Sequence, residues 1–337
     1  MNWLALDIGG ANIKVADGRG FTAAYPFALW KNHTQLEHEL RRIISESPSS
    51  DHLVATMTGE LADCYETKEE GVNEILSALQ LSADGRHTRV YLNDGSLVTP
   101  IIAGRRYMEA AAANWHALAR FVGRFMELGV ALLIDVGSTT CDVIPFRDGL
   151  PVHAATTDTQ RMIRGELVYT GVERSPLCAV ARTVPYRAHM CPVAHELFAT
   201  MQDVYVILGQ LPEDRASYFT SDGRPATKPY ARARLARSIC VDIEQFNHRD
   251  AVAIAESAAE SQAEYLATAM ERVLQRQPAP PASVVLSGHG EFLAQAALEQ
   301  LTLPATVISL TQQLGRGVSR CATAHALGVI AQEMAGP

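Results

Sequence analysis

Two short segments of this chain set a carboxylate, a glycine turn and polar side chains in the same order. The first, LALDIGGANIKVADG, places Asp7 at the end of an apolar run, then Gly9 and Gly10, then a second run from Asn12 that carries Lys14. The second, LLIDVGSTTCDVIPFRDG, follows about 128 residues later, with Asp135, Gly137 and Ser138-Thr139-Thr140 in the equivalent places. A glycine turn lets backbone N–H groups approach an anion closely. A carboxylate beside it suits a hard cation such as Mg²⁺. Two such turns facing one another would clamp a metal-bound phosphate chain. Asp7 and Asp135 are therefore the candidate metal ligands and catalytic carboxylates. Gly9, Gly10, Asn12, Lys14, Gly137, Ser138, Thr139 and Thr140 are the candidate phosphate-binding residues. Lys14 meets a phosphate oxygen unless strand alternation turns it outward.

The elements that would hold these turns repeat as well. Trp3–Asp7, Ile13–Asp17 and Phe21–Phe27 read as three strands. Gln35–Ser47 carries Leu36, Leu40, Ile43 and Ile44 on one helical face. Strand Leu53–Met57, helix Lys68–Leu79, strand Arg89–Leu92 and a long alanine-rich helix over Ala103–Leu128 complete a βββαβαβα order. The plan then restarts with strands Ala131–Asp135 and Cys141–Phe146, and Val152–Thr156 is the expected third strand. An insertion is expected over about 157–226, with a helix near Ala194–Leu208. Helices Pro229–Phe246 and Ala251–Gln277, strand Ser283–Leu286, helix Glu291–Leu301, strand Thr306–Leu310 and helix Ser319–Met334 follow. The expected domains are 1–128 and 129–330.

At 337 residues the chain can bury two substantial cores. Its formal net charge of −8, with acids and bases scattered, argues against a nucleic-acid groove. The first residues lack the basic and small-residue features of a signal peptide, and no apolar run reaches membrane-spanning length. Six cysteines without a CxxC pair read as reduced thiols. A cytoplasmic location, no membrane partner and a possible homo-oligomer are the corresponding expectations.

A doubled α/β unit of this order, with an acidic-glycine turn in each first hairpin, resembles the actin-like (ribonuclease H-like) ATPase superfamily of sugar kinases, acetate kinase and heat-shock ATPases. The third segment in that resemblance is VVLSGHG at 284–290, which looks like the late glycine turn that meets a nucleotide's adenosine part. It implies a central cleft and adds Gly288 and Gly290 to the ligand-binding set. His289 departs from the small residue usual there and suits either a lost nucleoside pocket or a modified one, so ATP stays open as a ligand. MTGELADCYETKEEGV at 57–72, AAANW at 111–115, RGELVYTGVERSPL at 164–177 and HELFATMQDVYVILG at 195–209 narrow the likeness. They resemble the hydantoinase/oxoprolinase-related branch found with tetrahydromethanopterin-linked one-carbon metabolism, whose archaeal members are similar to a methanofuran-biosynthesis enzyme. That resemblance implies a transferase joining an aminomethylfuran diphosphate to the phenol of a tyramine- or tyrosine-type acceptor, with Mg²⁺ as cofactor. An ATP-dependent kinase or hydantoinase-like hydrolase, and a nucleotide-gated scaffold, are the alternatives within the superfamily.

A phenol with an unperturbed pKa of about 10 needs a base at neutral pH. Glu60 is the first candidate, because it follows strand Leu53–Met57 and catalytic groups of open α/β sheets gather at strand ends. Asp63 is the second. Arg164, Glu166 and Tyr169 fall in a family-like segment. On one strand face, Arg164 and Glu166 would form an ion pair or bind an anionic part of the substrate. Trp115 reads as core, and Lys68 as part of a solvated face with Glu69 and Glu70. His189, Cys191 and His195 match no common zinc spacing and read as packing.

Overall fold

The computed structural model describes residues 1–126, 128–152 and 155–336. Its first half holds β1 (Trp3–Ile8), β2 (Asn12–Ala16), β3 (Thr22–Pro26), β4 (His52–Met57), β5 (His87–Tyr91) and a two-residue β6 (Leu97–Val98). Its second half holds β7 (Val130–Val136), β8 (Cys141–Arg147), β9 (Leu150–Pro151), β10 (Leu167–Val168), β11 (Thr183–Tyr186), β12 (His189–Pro192), β13 (Ser283–Ser287) and β14 (Thr306–Ser309). The first sheet runs β3-β2-β1-β4-β5-β6 and the second β10-β8-β7-β13-β14. In each, an antiparallel meander is followed by two parallel strands on its inner side. The duplicated architecture expected from the two hairpins is present.

The central strands show why. All six residues of β1 are buried, as are six of the seven in β7, as befits strands covered on both faces. Helix Leu36–Glu46 buries Leu36, Leu40, Ile43 and Ile44 and pairs Glu37 with Arg41, and Arg42 with Glu39 and Glu46, on its outer side. Each half has its own apolar core. A third core draws on both, joining Trp3, Ala5, Val54 and Trp115 to Leu133, Ile144, Val285 and Leu310. Helix Ala322–Ala335 adds Ala326, Leu327 and Ile330 to that shared layer, so the last helix of the chain binds the halves together.

Two expected elements differ. The long helix over Ala103–Leu128, which includes Glu127 outside the described residues, is instead helices Pro100–Arg105, Tyr107–Ala110 and Asn114–Val122 with a 3₁₀ turn at Gly123–Phe125. Arg106 leaves helical geometry at ψ 43°, and Ala112 adopts φ +48°. The loop after β5 claims a carbonyl from this stretch, Asn93 N–H donating to Glu109 O at 2.8 Å. Tertiary hydrogen bonding outweighs the propensity of alanine. The expected strand Val152–Thr156 falls partly outside the described residues, at His153 and Ala154. Among those described, β9 and β10 line the open edge of β8 in two short pieces.

Candidate active site

Asp7 and Asp135 stand at matching points of the two sheets. Asp7 faces Lys14 across the β1–β2 hairpin, and Asp135 faces Asp142 across β7–β8. Each hairpin turn closes in the same way: Gly9 N–H donates to Asn12 O at 3.0 Å, and Gly137 N–H donates to Thr140 O at 2.9 Å. A Cβ on Gly9 would lie 2.8 Å from Asn12 O, so that position admits no side chain. The expectation that Gly9 and Gly137 offer their own N–H groups to an anion is therefore corrected: both shape their turns. The amides of Gly10, Ala11, Ser138 and Thr139 donate to no protein group among the described residues.

The turns meet across a cleft. Leu29 N–H donates to Gly10 O at 2.9 Å, which fixes Trp30 beside the first turn. Glu173 and Arg174 donate their N–H groups to Ser138 O at 3.1 and 2.9 Å, which wraps that segment around the second. The Arg174 guanidinium then lies 4.4 Å from the centroid of the Trp30 ring, spanning the two halves. Lys14 is half-buried on β2, and its positive charge opposes the effect of burial on the carboxyls of Asp7, Asp135, Asp142 and Glu173. Lys14 and Asp142 occupy equivalent hairpin positions, so the duplication has placed opposite charges at matching points of the cleft. Burial raises the carboxyl of Asp7, whose Oδ2 accepts from Thr323 Oγ1 and whose Oδ1 has no partner. Asp135 is pushed up to about 6, by burial and by Asp142.

A second internal match emerges beside these aspartates. Thr56 on β4 is in register with Asp7, and Ser287 on β13 with Asp135. Both hydroxyls are buried without a hydrogen-bond partner. From there the chain reads Thr-Met-Thr-Gly-Glu to Glu60 and Ser-Gly-His-Gly-Glu to Glu291. The two glutamates have opposite fates. The Glu291 carboxylate accepts from Ser309 Oγ at 2.5 Å, Thr311 N at 2.9 Å, Thr311 Oγ1 at 2.7 Å and Ser319 Oγ at 3.0 Å, and so ties a helix start to the end of β14. Glu60 is 2% exposed, and its Oε2 is buried without a partner.

Burial lifts the Glu60 carboxyl to about 7, with the backbone N–H groups of Glu60 and Ala112 and the charge of Lys68 pulling it down and Asp158 pushing it up. Lys68 is not on a solvated face: it pairs with Asp158 of the other half at 3.1 Å. Gly71 in the helix Lys68–Ser82 is required here, because a Cβ would sit 2.2 Å from Glu60 O. A buried carboxyl with one free oxygen, held near neutrality, is the group a general base calls for.

The late turn is glycine for steric reasons. Gly288 has φ +88°, a Cβ there would be 2.2 Å from Val136 O, and Gly290 N–H donates to that same carbonyl at 3.1 Å. The turn thus lies on the end of β7 and holds His289 Nε2 3.2 Å from Glu173 Oε1, an ion-pair distance off the line of a hydrogen bond. Against burial, His289, Arg320 and Lys14 keep the Glu173 carboxyl below its usual range.

Arg164, Glu166 and Tyr169 do not form the expected group. Arg164 ends the helix Asp158–Arg164, and Gly165 at φ +75° turns the chain, so Arg164 and Glu166 share no strand face. Glu166 is buried, and Tyr169 is 60% exposed. The arginine that matters here is Arg161. It is 2% exposed, donates to Asp142 Oδ1 at 2.7 Å and to Glu166 O at 3.1 Å, and lies 4.1 Å from the ring centroid of Trp115. Neither this residue nor Asp142 carries a local signal, although the Asp7/Lys14 and Asp135/Asp142 match is visible once the hairpins are aligned. Asp63 stays in the loop beyond Glu60. Cys191 packs against the second core.

Among the described residues no group of three or more His, Cys, Asp or Glu is arranged to hold a metal ion. The orphaned Asp7 Oδ1 fits a cation that keeps most of its waters and takes further ligands from a substrate phosphate, the habit of Mg²⁺. Asp135 is the matching carboxylate of the second hairpin. Nor does any helix among the described residues have the length and apolarity to cross a membrane.

The chain belongs to the hydantoinase/oxoprolinase family, whose model matches residues 51–325. Its relatives include the (4-{4-[2-(gamma-L-glutamylamino)ethyl]phenoxymethyl}furan-2-yl)methanamine synthase of Methanocaldococcus jannaschii, 30% identical over 335 residues, with 98% of this chain and 97% of that protein covered. The synthase of the same name from Methanococcus vannielii is 27% identical over 214 residues, covering 63% of this chain and 95% of that protein. Among solved structures, similarity extends to an inorganic polyphosphate/ATP-glucomannokinase from Arthrobacter sp. strain KM, at 14% identity, 98% coverage of both chains and TM-score 0.45. It extends also to Ta0583, an archaeal actin homolog, at 15% identity, full coverage of both chains and TM-score 0.44.

Proposed function

We propose that this protein is a transferase of methanofuran-type coenzyme biosynthesis, joining an aminomethylfuran diphosphate to the phenol oxygen of a tyramine- or tyrosine-type acceptor. The name shared by the two relatives describes a furan with an aminomethyl group and a CH₂–O link to a phenyl ring. Forming that ether breaks a CH₂–O bond to the leaving group, makes a CH₂–O bond to the phenol, and frees one proton. With a diphosphate as leaving group, the departing electron pair goes out on pyrophosphate. The observation that carries the reading is the stack of Arg174 on Trp30, 4.4 Å from its ring centroid, which joins the segment bonded to Ser138 O to the one bonded to Gly10 O and so brings the two glycine turns together.

In this reading the amides of Gly10, Ala11, Ser138 and Thr139 surround the diphosphate, with the hydroxyls of Thr139 and Thr140 beside them. Preorganised donors act most strongly where charge develops, on the bridging oxygen that leaves. Lys14 adds a fixed positive charge at the same point. Asp7 and Asp135 would hold Mg²⁺, directly or through water, and the ion would further neutralise the phosphate oxygens. Glu60, ionised at and above about pH 7, takes the phenol proton. The furan ring delocalises positive charge at the reacting carbon, so no covalent intermediate on the protein is required.

The test is direct. The protein is incubated with Mg²⁺, a tyramine-type acceptor and either aminomethylfuran diphosphate or ATP, and products are followed by mass spectrometry. Pyrophosphate together with a phenol ether is expected from the first mixture. Turnover of ATP to ADP, with no ether from the diphosphate, would replace this reading with that of a kinase or hydrolase.

A further inference from the structure

The cleft as described is short of free positive charge. Asp7, Asp135, Asp142 and Glu173 all lie within electrostatic reach of Lys14. Of the nearby cations, Arg161 is committed to Asp142 and Lys68 to Asp158, while the charges of Lys14 and Arg320 already act on Glu173. A diphosphate brings further negative charge into this surround. Arg174 differs from those cations: among the described residues it makes no ion pair, and its guanidinium lies over the ring of Trp30. Each partner of that stack is adjacent to one of the turns. Trp30 follows Leu29, whose N–H is on Gly10 O, and Arg174 has its own N–H on Ser138 O.

We propose that Arg174 is the residue that binds the outer phosphate of the diphosphate, and that Trp30 is the resting seat of its guanidinium. This rests on the transferase reading above. A stack on a partly exposed ring is weaker than charge-assisted hydrogen bonds from a guanidinium to phosphate. An arriving phosphate therefore draws Arg174 off the ring, and the backbone anchors at Gly10 and Ser138 keep the side chain within reach of both turns. Closure of the anionic pocket and departure from Trp30 are one event. Trp3 and Trp115 are buried at 7% and 2% exposure, which leaves Trp30 as the tryptophan whose emission reports it.

The experiment uses inorganic pyrophosphate with Mg²⁺ as the probe, titrated calorimetrically and by tryptophan emission into the wild-type protein, Arg174→Met, Trp30→Phe and Arg187→Met. Arg187 is a charge-matched control, stacked 4.9 Å from the Tyr186 ring centroid on the hairpin β11–β12. Expected are a loss of affinity of roughly 10- to 100-fold in Arg174→Met, the range for a charge-assisted contact, and less than about twofold in Arg187→Met. The emission change on binding is expected to vanish in Trp30→Phe while calorimetric binding persists. Unchanged affinity in Arg174→Met, or an equal loss in Arg187→Met, overturns the proposal while leaving the transferase reading in place. A wild-type protein with no affinity for pyrophosphate overturns both.

Discussion

Replacing Glu60 with glutamine separates function from stability in a way few other roles for this residue would. The carboxyl is 2% exposed and its folded-state pKa is raised from 4.5 to about 7, chiefly by burial. Below pH 4.5 the group is protonated in the folded and unfolded chains alike and affects stability little. Between 4.5 and about 7 the unfolded chain releases a proton that the folded protein retains, so stability falls as the pH rises through that window. Above about 7 the folded protein carries the full cost of the buried charge. At about 1.4 kcal/mol for each tenfold change in ionisation constant, that cost is on the order of 3 kcal/mol. Glutamine has nearly the same shape and never ionises. Glu60→Gln is therefore expected to be more stable than wild type by about 2–3 kcal/mol at pH 8 and nearly equal to it at pH 4.5. Its turnover is expected to fall by about 10²–10⁴-fold, the usual contribution of a general base, while the wild-type rate rises with pH around 7. Urea unfolding at the two pH values and initial rates of ether formation measure both effects. A stability difference that does not change with pH, or turnover that survives the substitution, would refute the assignment.

The pair beside Glu60 gives a graded test. Lys68→Met is expected to move the midpoint of the rate–pH profile upward and Asp158→Asn downward, because Lys68 lowers and Asp158 raises the Glu60 carboxyl. Each should change stability by no more than about 1 kcal/mol, since the pair is a quarter exposed. Asp7→Asn is expected to abolish the Mg²⁺ dependence of turnover and to lower the rate at saturating Mg²⁺ by at least about 100-fold, read from rates across a Mg²⁺ titration. Gly288→Ala is expected to destabilise by about 2–3 kcal/mol in denaturant unfolding, because a Cβ must fit at φ +88° and 2.2 Å from Val136 O.

What the sequence determined by itself was local in origin. The apolar runs of β1 and β7, the amphipathic face Leu36–Ile44, and the two aspartate-glycine turns depend on periodicity and on glycine's freedom, which act over a few residues. The repeated order of those elements was enough to set the doubled sheet. Glu60 was reachable from its place after β4, and its match to Glu291 is written in the chain. That one of this pair is saturated with four donors while the other keeps an orphaned oxygen was not, because the donors come from Ser309, Thr311 and Ser319. Tertiary structure alone also broke the alanine-rich helix, by taking a carbonyl at Glu109 for the loop after β5. It chose Arg161 over Arg164, since burial against Trp115 and Asp142 depends on elements from both halves. It set Arg174 upon Trp30, side chains far apart in the chain that meet only when the two halves pack together. Periodicity records which face of an element is buried; which charges meet across that face is decided by the packing of distant segments.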